Sequence, residues 1–430
     1  MARTSTPDSP PRRRGRARQP DGFGAPRPAV TVRAGHYRLP PDVATRVRAG
    51  HPWVFRDAFG GRAITEPTGA MVTMFTGNHE FVARGYVDHE HAIAVRVVTR
   101  DPGQRISPGA GAVAARFARA VELRRSLFGG ADPDAMRLFS GESEGLPGVT
   151  VDRYGEFVLA QWLSSGALPW RDELYDAIEA VVAPRGLYEQ RRFRPLAGQG
   201  PPEPAVRARG VEAPVELVID EAGCKLAVDL TAPLGVGIFP DMRLGRAAVA
   251  ARAADRRVCN LFSYTGAFSV RAARAGAREI VAVDLAAKAN ARSRRNLELS
   301  GMAPTAVDHV TGDVLKTLER FAARGRRFDL VVCDPPTFSH GPQGALALGK
   351  DLAAVGRAVV SVLDPGGLLV FATNSTRISS ADVDRALAEG AAQERADLRI
   401  IERIGLPPDF PVAPGFPEGN YLKCVFAVRA

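Results

Sequence analysis

The chain lacks the cysteine patterns of metal-binding and disulfide-stabilised proteins. Its 430 residues include four cysteines, and no two of them form a C-x-x-C pair. Zinc ribbons, iron–sulfur sites and a disulfide framework therefore have no support in the sequence. The seven histidines are scattered and form no constellation with acids or cysteines, so no metal site is expected.

Long apolar runs and a secretion signal are also lacking. No stretch of about 18 apolar residues occurs, so the sequence predicts no membrane span. The chain does not open with a charged segment followed by an apolar one, which is the pattern of a signal peptide. The cytoplasm is therefore the expected location.

Basic residues exceed acidic ones, and the formal net charge is +10. A basic protein suits a polyanionic partner such as nucleic acid. Residues 1–30 alone hold seven arginines and two aspartates, which is half of the excess. Their Pro, Arg, Gly and Ser content predicts a disordered tail, because such a composition cannot bury a core. The tail is either an arm that binds phosphates or a solvated segment without function.

A strand–turn–helix–strand pattern occurs in the second half of the chain. Residues 258–262 (VCNLF) predict a buried strand, residues 267–275 a helix, and residues 279–284 (EIVAVD) a second strand that ends on Asp284. This order is typical of the first βαβ unit of a nucleotide-binding sheet, in which the terminal acid accepts hydrogen bonds from a ribose. The turn contains Gly266 in place of G-x-G-x-x-G, so a dinucleotide cofactor is not expected.

A second strand signal ends on an acid and two prolines. Residues 330–333 (LVVC) are apolar and run directly into Asp334, Pro335 and Pro336. Proline lacks a backbone donor and ends a strand, so this turn lies at the rim of the sheet, where ligands bind in open α/β sheets. The alternative interpretation is a turn that only terminates the strand.

Four motifs in fixed order resemble a family of bacterial S-adenosylmethionine-dependent methyltransferases of 23S ribosomal RNA. This family includes the large-subunit cytosine-5 enzyme with an N-terminal PUA domain and the large-subunit guanine-N7 enzyme. The resemblance extends over roughly residues 38–430. The motifs are residues 260–269 (NLFSYTGAFS), 311–313 (TGD), 334–338 (DPPTF) and 366–374 (GGLLVFATN).

The resemblance implies an α/β fold with a Rossmann-like class I methyltransferase domain, preceded by a small PUA-like β-barrel and a central α+β domain. After the tail at residues 1–30, we expect the PUA-like RNA-binding β domain at 31–103, the central domain at 104–214 and the methyltransferase domain at 215–430. Residues 191–209 are rich in Arg, Pro and Gly and predict a loop. This loop is either an RNA contact or an exposed linker.

S-adenosyl-L-methionine is the cofactor that the resemblance implies. The turn that holds its methionine part would consist of Phe262, Ser263, Tyr264, Thr265 and Gly266. Asp284 would hold the ribose and Asp313 the adenine. Residues 236–246 (VGIFPDMRLGR) resemble the family's Gly-aromatic-x-x-Asp-x-Arg segment, which implies that Asp241 and Arg243 lie beside the cofactor. Three residues depart from that pattern, namely Ile238, Pro240 and Met242.

The base that accepts the methyl group is the main open question. Cytosine C5 becomes nucleophilic only after a cysteine thiolate attacks C6. In the cytosine-5 relatives this cysteine follows the strand that corresponds to residues 368–372, where the present chain has Thr373-Asn374-Ser375. Cys333 remains the candidate thiol, although strand alternation directs it away from Asp334.

The same region is more similar to the guanine-N7 relatives. N7 carries a lone pair and needs only positioning. Asp334 would accept hydrogen bonds from guanine N–H groups and Phe338 would stack on a flipped base. The residues expected to hold the base are Asp334, Pro335, Pro336, Phe338 and Asn374, with Thr337 as a further donor.

These observations predict an enzyme that methylates a base of large-subunit ribosomal RNA, at guanine N7 or cytosine C5. A small-molecule or protein methyltransferase is one alternative, which the N-terminal β domain disfavours. A catalytically inactive RNA-binding ribosome assembly factor is another, favoured by the missing cysteine and opposed by Asp284 and Asp334. The sequence does not decide between a monomer and a homodimer.

Overall fold

A computed structural model of the chain describes residues 35–61, 63–193, 203–336, 338–341 and 344–430, with the backbone alone at residues 338–341, 344–347 and 350. The N-terminal tail predicted at residues 1–30 lies outside the described residues, as does Thr337.

The N-terminal part is a five-stranded sheet with strand order β1-β3-β4-β5-β2. Val47 of its helix packs against Met74 and Val95 of the sheet in one apolar cluster, and all three are fully buried. The sequence predicts strands at residues 71–75, 81–87 and 93–98, and the structure confirms all three. The elements are β1 (Gly35–Arg38), α1 (Pro41–Arg48), β2 (Trp53–Phe55), a 3-10 turn (Arg56–Phe59), β3 (Met71–Phe75), β4 (Phe81–Val87) and β5 (Ile93–Thr99).

The middle part is a second five-stranded sheet, with order β10-β9-β8-β7-β6. The sequence predicts a hairpin at residues 146–155 and 157–163, and the structure has it as the antiparallel pair β7–β8, whereas β6 has no clear sequence signal. Its elements are α2 (Ala112–Phe128), β6 (Ala135–Ser140), α3 (Gly141–Glu144), β7 (Val149–Tyr154), β8 (Phe157–Trp162), a 3-10 helix (Ser165–Trp170), α4 (Arg171–Val182), β9 (Gly186–Arg191) and β10 (Val206–Gly210).

The loop predicted at residues 191–209 is only partly a loop. Its last residues form β10, which pairs antiparallel with β9. The hydrogen bonds between these strands explain why a segment rich in charge can be a strand at the edge of a sheet. Residues 194–202 lie outside the described residues.

The C-terminal part begins with the β11–β12 hairpin and continues into a seven-stranded sheet of order β15-β14-β13-β16-β19-β21-β20. Strands β13 to β16 and β19 run parallel, and β21 runs antiparallel to β19 and β20. The strands are β11 (Leu217–Glu221), β12 (Cys224–Val228), β13 (Arg257–Leu261), β14 (Glu279–Asp284), β15 (Asp308–Thr311), β16 (Phe328–Cys333), β17 (Phe338–Gly341), β18 (Gly344–Ala347), β19 (Leu363–Thr373), β20 (Leu398–Ile404) and β21 (Lys423–Arg429).

Helices cover both faces of the large sheet. The helices are α5 (Arg243–Ala250), α6 (Ala267–Arg274), α7 (Ala287–Leu299), α8 (Val314–Ala323), α9 (Leu348–Ser361) and α10 (Ser380–Gln393), with 3-10 turns at Pro240–Met242, Pro304–Ala306 and Pro417–Gly419. Alternate residues of the central strands point to opposite faces. In β16, Val332 belongs to the apolar cluster that includes α5, α6 and α7, whereas Cys333 belongs to the one that includes α8, α9 and α10. Both faces are buried, as the predicted α/β fold requires.

None of the helices in the described ranges is long and apolar enough to cross a membrane.

Candidate active site

A cavity of about 730 Å³ lies at the carboxyl ends of the parallel strands. Phe262 and Ser263 follow β13, Asp284 ends β14, Asp334 follows β16 and Asn374 follows β19, and all of them line this cavity. Since parallel strands end at one edge of their sheet, side chains far apart in sequence meet there. The sequence-predicted residues that also line it are Tyr264, Thr265, Asp313, Asp241, Pro335 and Pro336.

The turn after β13 is compact because three residues adopt positive φ. Phe262 has φ 53°, Tyr264 has φ 48° and Gly266 has φ 77°. A Cβ on Gly266 would lie 1.9 Å from Oγ of Ser293, so only glycine fits there. The chain thereby enters α6 directly from the cavity wall, which directs the amide end of this helix to the cavity.

Two side chains fix this turn to the segment that precedes α5. The Tyr264 hydroxyl donates to the carbonyl of Gly235 at 2.9 Å, and the Thr265 hydroxyl donates to the carbonyl of Gly237. The ring of Tyr264 also packs against that of Phe239, with centroids 5.5 Å apart. These contacts hold two sides of the cavity together.

Ser263 presents an unsatisfied polar atom at the cavity. The residue is only 6% exposed, and its buried Oγ has no hydrogen-bond partner within the described part of the chain. A buried hydroxyl without a partner costs about 1–3 kcal/mol. A polar ligand in the cavity would remove this cost, which fits the methionine end of S-adenosylmethionine.

Asp284 is held by two backbone donors. One carboxylate oxygen accepts from the amide of Tyr264 at 2.7 Å, and the other accepts from the amide of Ala286 at 2.8 Å. A carboxylate offers about four lone-pair sites, so each oxygen retains one. The two oxygens can therefore accept a pair of vicinal hydroxyls, such as those of a ribose.

Asp313 combines two roles. Its carboxylate caps α8 by accepting from the amide of Lys316 at 3.0 Å, and it lines the cavity beside Val314 and Leu315. Leu285 lies on the same cavity and is 39% exposed. A polar acceptor among apolar side chains suits a flat heteroaromatic ring that carries an amino group.

Of the carboxyl groups that line the cavity, that of Asp334 has the most strongly shifted pKa. Its pKa is raised to about 7, first by burial and then by the nearby carboxylate of Asp241, while Arg246 opposes the shift. Pro335 is buried and Pro336 is exposed, and both lie on the cavity lining. A carboxyl group with a pKa near neutrality at a cavity is typical of a functional site.

Asp241 is held by a residue that the sequence interpretation did not include. The Tyr421 hydroxyl donates to its carboxylate at 2.9 Å. Burial raises the pKa of Asp241, whereas this hydrogen bond and the charges of Arg137 and Arg246 lower it. The residue after Tyr421, Leu422, also lines the cavity.

Arg243 and Arg246 differ in position. Arg243 is not part of the cavity lining, because its guanidinium donates to the carbonyl of Ala135 at 3.1 Å and to the carboxylate of Asp409. Arg246 does line the cavity and forms a bidentate pair with Glu221 at 2.6 and 2.7 Å. Of these two arginines, Arg246 therefore lies on the cavity lining and Arg243 lies outside it.

The residues predicted to hold the base are described only in part. Asn374 is exposed and lines the cavity. The carbonyl of the next residue, Ser375, accepts a hydrogen bond from Nζ of Lys423 at 2.9 Å. Phe338 begins β17, but its side chain lies outside the described atoms. The predicted stacking of Phe338 on a base stays a prediction.

All four cysteines are buried away from the cavity. Their exposed fractions do not exceed 1%, and burial raises the pKa of each thiol. Cys333 packs with Cys259 and Leu369 in the apolar cluster that includes α8, α9 and α10. The nearby Asp334 charge raises its pKa further. Cys333 therefore lacks both the access and the ionisation that a nucleophile into this cavity requires.

Three further lining residues were not among the predicted site residues, although Phe239 lies in the family-like segment 236–246 and Arg192 lies in the loop predicted at 191–209. Leu234 and Phe239 are exposed apolar residues at the cavity, with exposed fractions of 72% and 48%. Arg192 lies there as well and donates to the carbonyl of Leu234 at 2.8 Å. The signal that could have indicated Tyr421 and Leu422 is the segment at residues 415–423 (GFPEGNYLK), which resembles the C-terminal hairpin of the same family.

Comparison with known families assigns most of the chain. Residues 176–420 match the family described as S-adenosylmethionine-dependent methyltransferase, and residues 38–100 match a PUA-like domain. The chain is 32% identical to ribosomal RNA large subunit methyltransferase I of Cronobacter sakazakii, over 87% of this chain and 94% of that protein. It is 30% identical to the protein of the same name from Shewanella denitrificans, over 91% of this chain and 98% of that protein.

Solved structures agree with this assignment. SMU.776, described as a methyltransferase in complex with SAH, is 25% identical and superposes with a TM-score of 0.83, covering 92% of this chain and 100% of its own. A Streptococcus mutans structure with 24% identity has a TM-score of 0.82 and the same coverage, which supports the fold.

Proposed function

The chain belongs to the S-adenosylmethionine-dependent methyltransferase family, and from this premise we propose that it methylates a base of large-subunit ribosomal RNA, with guanine N7 as the acceptor. The relatives named as ribosomal RNA large subunit methyltransferases support an RNA substrate. The PUA-like domain at residues 38–100 supports it as well.

One observation carries the choice of acceptor, namely the burial of every thiol in the protein. Methylation at cytosine C5 needs a thiolate at C6. The four cysteines are at most 1% exposed and none lines the cavity. A ring nitrogen with its own lone pair needs no covalent catalysis, so it is the acceptor class that this cavity can serve.

The cofactor would occupy the side of the cavity formed by the β13 turn. Bound S-adenosylmethionine supplies a methyl group on a positively charged sulfur. Ser263 Oγ and the turn amides would bind its amino-acid part, Asp284 its ribose, and Asp313 its adenine. The orphaned hydroxyl of Ser263 and the two fixed oxygens of Asp284 support this assignment.

The base would occupy the side formed by Asp334, Pro335, Pro336 and Asn374. In its ionised form, Asp334 can accept from N1–H and the exocyclic amino group of guanine, which lie on the edge opposite N7. This contact would hold N7 toward the cofactor side of the cavity. Positioning of this kind can supply most of the rate enhancement for a reaction that needs no acid or base.

The proposed domain plan assigns delivery of the RNA to the first two domains. We propose a PUA-like RNA-binding domain at 31–103, a central domain at 104–214 and the methyltransferase domain at 215–430. A small-molecule methyltransferase would have no use for the first domain. An inactive assembly factor would have no use for the ordered acids Asp284 and Asp334.

The test is methyl transfer from labelled S-adenosylmethionine to protein-free large-subunit RNA that lacks native methylation. We expect the wild-type protein to label the RNA and Asp334→Ala to lose about 100-fold in rate, the usual cost of a misplaced substrate. Asp384→Ala is a matched control, because Asp384 is an exposed carboxylate paired with Arg403 outside the cavity. No labelled RNA from a protein that binds the cofactor would contradict the proposal.

A further inference from the structure

A second cleft, of about 420 Å³, lies between the N-terminal sheet and the middle domain. One wall consists of Gly50, Pro52 and residues 97–101 from the PUA-like part. The other wall comes from α2 and from residues 142–145. The cleft is separate from the methyl-transfer cavity, since no residue lines both.

Three arginines converge on this cleft. Arg100 follows β5 of the PUA-like sheet, and Arg116 and Arg119 are three residues apart on α2. Residues at this spacing share one face of a helix. Two domains of the protein therefore direct positive charge into the same space.

Backbone carbonyls hold two of these guanidinium groups without neutralising them. Arg100 donates to the carbonyls of Val47 and His51, the latter at 2.8 Å. Arg116 donates to the carbonyl of Gly145. A Cβ on Gly145 would lie 3.1 Å from the Arg116 guanidinium, so the glycine leaves room for it.

Arg119 is exposed and has no hydrogen bond or ion pair within the described residues. It is thus the one of the three that has its whole guanidinium group available to a ligand. Arg119 lies beside Arg116 on the cleft wall.

The carboxylates in the cleft are mostly engaged elsewhere. Glu142 accepts from Arg96 at 3.2 Å, and Glu144 accepts from Arg124 at 3.0 Å. Asp101 is exposed and accepts from the amide of Gly103 at 2.8 Å. The pairs with Arg96 and Arg124 leave the three cleft arginines with an excess of positive charge.

The like charges disfavour one another. The pKa of Arg116 is lowered, first by burial and then by the charge of Arg119, with a smaller effect from Arg100, while Glu173 opposes the shift. Burial also lowers the pKa of Arg100. An anion bound between these groups would relieve their repulsion and replace lost hydration.

We propose that this cleft binds a backbone phosphate of the RNA substrate and thereby fixes the RNA across the PUA-like and central domains. The inference rests on the proposed RNA substrate. Arginine is suited to the role because its planar donors match phosphate oxygens in a bidentate manner. A polyanionic chain that passes from one domain to the next would meet both walls of the cleft.

The test compares Arg119→Gln with Arg125→Gln, which removes the same charge from the same helix. Arg125 is a suitable control because it lies outside the cleft and donates to the carbonyl of Val181. Affinity for a large-subunit RNA fragment is measured from about 50 to 200 mM salt. We expect Arg119→Gln to weaken binding and to reduce the slope of log affinity against log salt by about one, as for a lost phosphate contact. Arg125→Gln is expected to match wild type.

Arg116→Lys is a second variant that keeps the charge but loses the planar donors. We expect it to retain the salt slope and to bind more weakly. Identical affinity and slope for wild type and Arg119→Gln would overturn the proposal. Failure of the proposed function would give a different result, because wild-type protein would then bind the RNA without methylating it. The RNA affinities of the cleft variants would still be compared in that case.

Discussion

Tyr421 donates its hydroxyl to the carboxylate of Asp241 at 2.9 Å, across a separation of 180 residues. This bond connects the segment before β21 to the wall of the methyl-transfer cavity. The same segment contains Asp409, which is fully buried and pairs with Arg243. It also contains Phe416, whose ring packs 4.6 Å from that of Trp53 in the PUA-like part. Asp409 also accepts from the backbone amide of Arg137 in the middle part at 3.0 Å, so the segment contacts all three parts of the protein.

Replacement of Tyr421 by phenylalanine should slow methyl transfer by about tenfold, because a hydrogen bond to a charged group contributes about 1.5–3 kcal/mol. The loss should raise the pKa of Asp241, since this hydrogen bond lowers it. A more neutral Asp241 repels Asp334 less, so the pH midpoint of transfer should move to lower pH. Rates measured from pH 5.5 to 8.5 provide the check.

The control for that variant is Tyr175→Phe. Tyr175 also donates to a buried carboxylate, Glu189, at 2.8 Å, but in the middle domain. We expect it to lose comparable stability while keeping the wild-type pH midpoint. Equal pH profiles for the wild type and Tyr421→Phe would show that the bond has only a structural role.

Methyl transfer should increase with pH around neutrality. The pKa of Asp334 is raised to about 7, so its carboxyl group is mostly neutral at pH 6 and mostly ionised at pH 8. The ionised form is the one that accepts hydrogen bonds from guanine. Asp334→Asn should be slow at every pH and should lack this rise. A wild-type rate that falls between pH 6 and 8 would assign the activity to the neutral acid.

The same carboxyl group should cost stability at high pH. An acid whose pKa rises on folding stabilises the protein below its unfolded pKa, and this contribution is lost as pH rises to the folded value. For Asp334 the loss should occur between about pH 4 and 7. Asp334→Asn should therefore melt at a higher temperature than wild type at pH 8, with a smaller gap at pH 5. A gap that does not depend on pH, measured by calorimetry, would refute this expectation.

Gly266→Ala should abolish cofactor binding. The new Cβ would lie 1.9 Å from Ser293 Oγ, and φ is 77°. Backbone strain at positive φ costs about 1–2 kcal/mol, and the collision adds to it. Gly276→Ala is the control, since Gly276 has φ 84° but no atom within 4 Å of a Cβ. Calorimetric titration with S-adenosylhomocysteine should show binding to the control alone.

Cys333→Ala should retain methyl transfer within about twofold. Removal of a buried thiol should lower stability by about 1 kcal/mol, because a small side chain is lost from the core. Loss of transfer by a folded Cys333→Ala variant, with a covalent RNA adduct in wild type, would show that the thiol reaches the base. Transfer assays and denaturing gels measure both outcomes.

Much of the fold followed from local patterns. Residues 258–262 and 279–284 were predicted as strands on either side of a helix, because apolar runs and turn residues determine these elements locally. The structure has these strands at Arg257–Leu261 and Glu279–Asp284. The cavity acids Asp284 and Asp334 were predictable because each ends such a strand. The matched families confirm the fold class and the cofactor.

The rest depended on contacts between distant residues. Nothing near Arg243 indicates that its guanidinium turns to Asp409 instead of the cavity, since this pair spans 166 residues. The edge strand β10 forms because β9 offers it hydrogen bonds, against the loop-like composition of its own sequence. The arginine cleft likewise joins residues of two domains that no local motif connects.

Identification of the methylated nucleoside tests the proposed acceptor, guanine N7, most directly. Purified protein, S-adenosylmethionine and unmethylated large-subunit RNA are incubated, and the digested RNA is analysed by mass spectrometry. We expect 7-methylguanosine, formed by wild type and by Cys333→Ala alike. Formation of 5-methylcytidine would contradict this proposal, because that product requires a thiolate that the buried cysteines do not supply to the cavity.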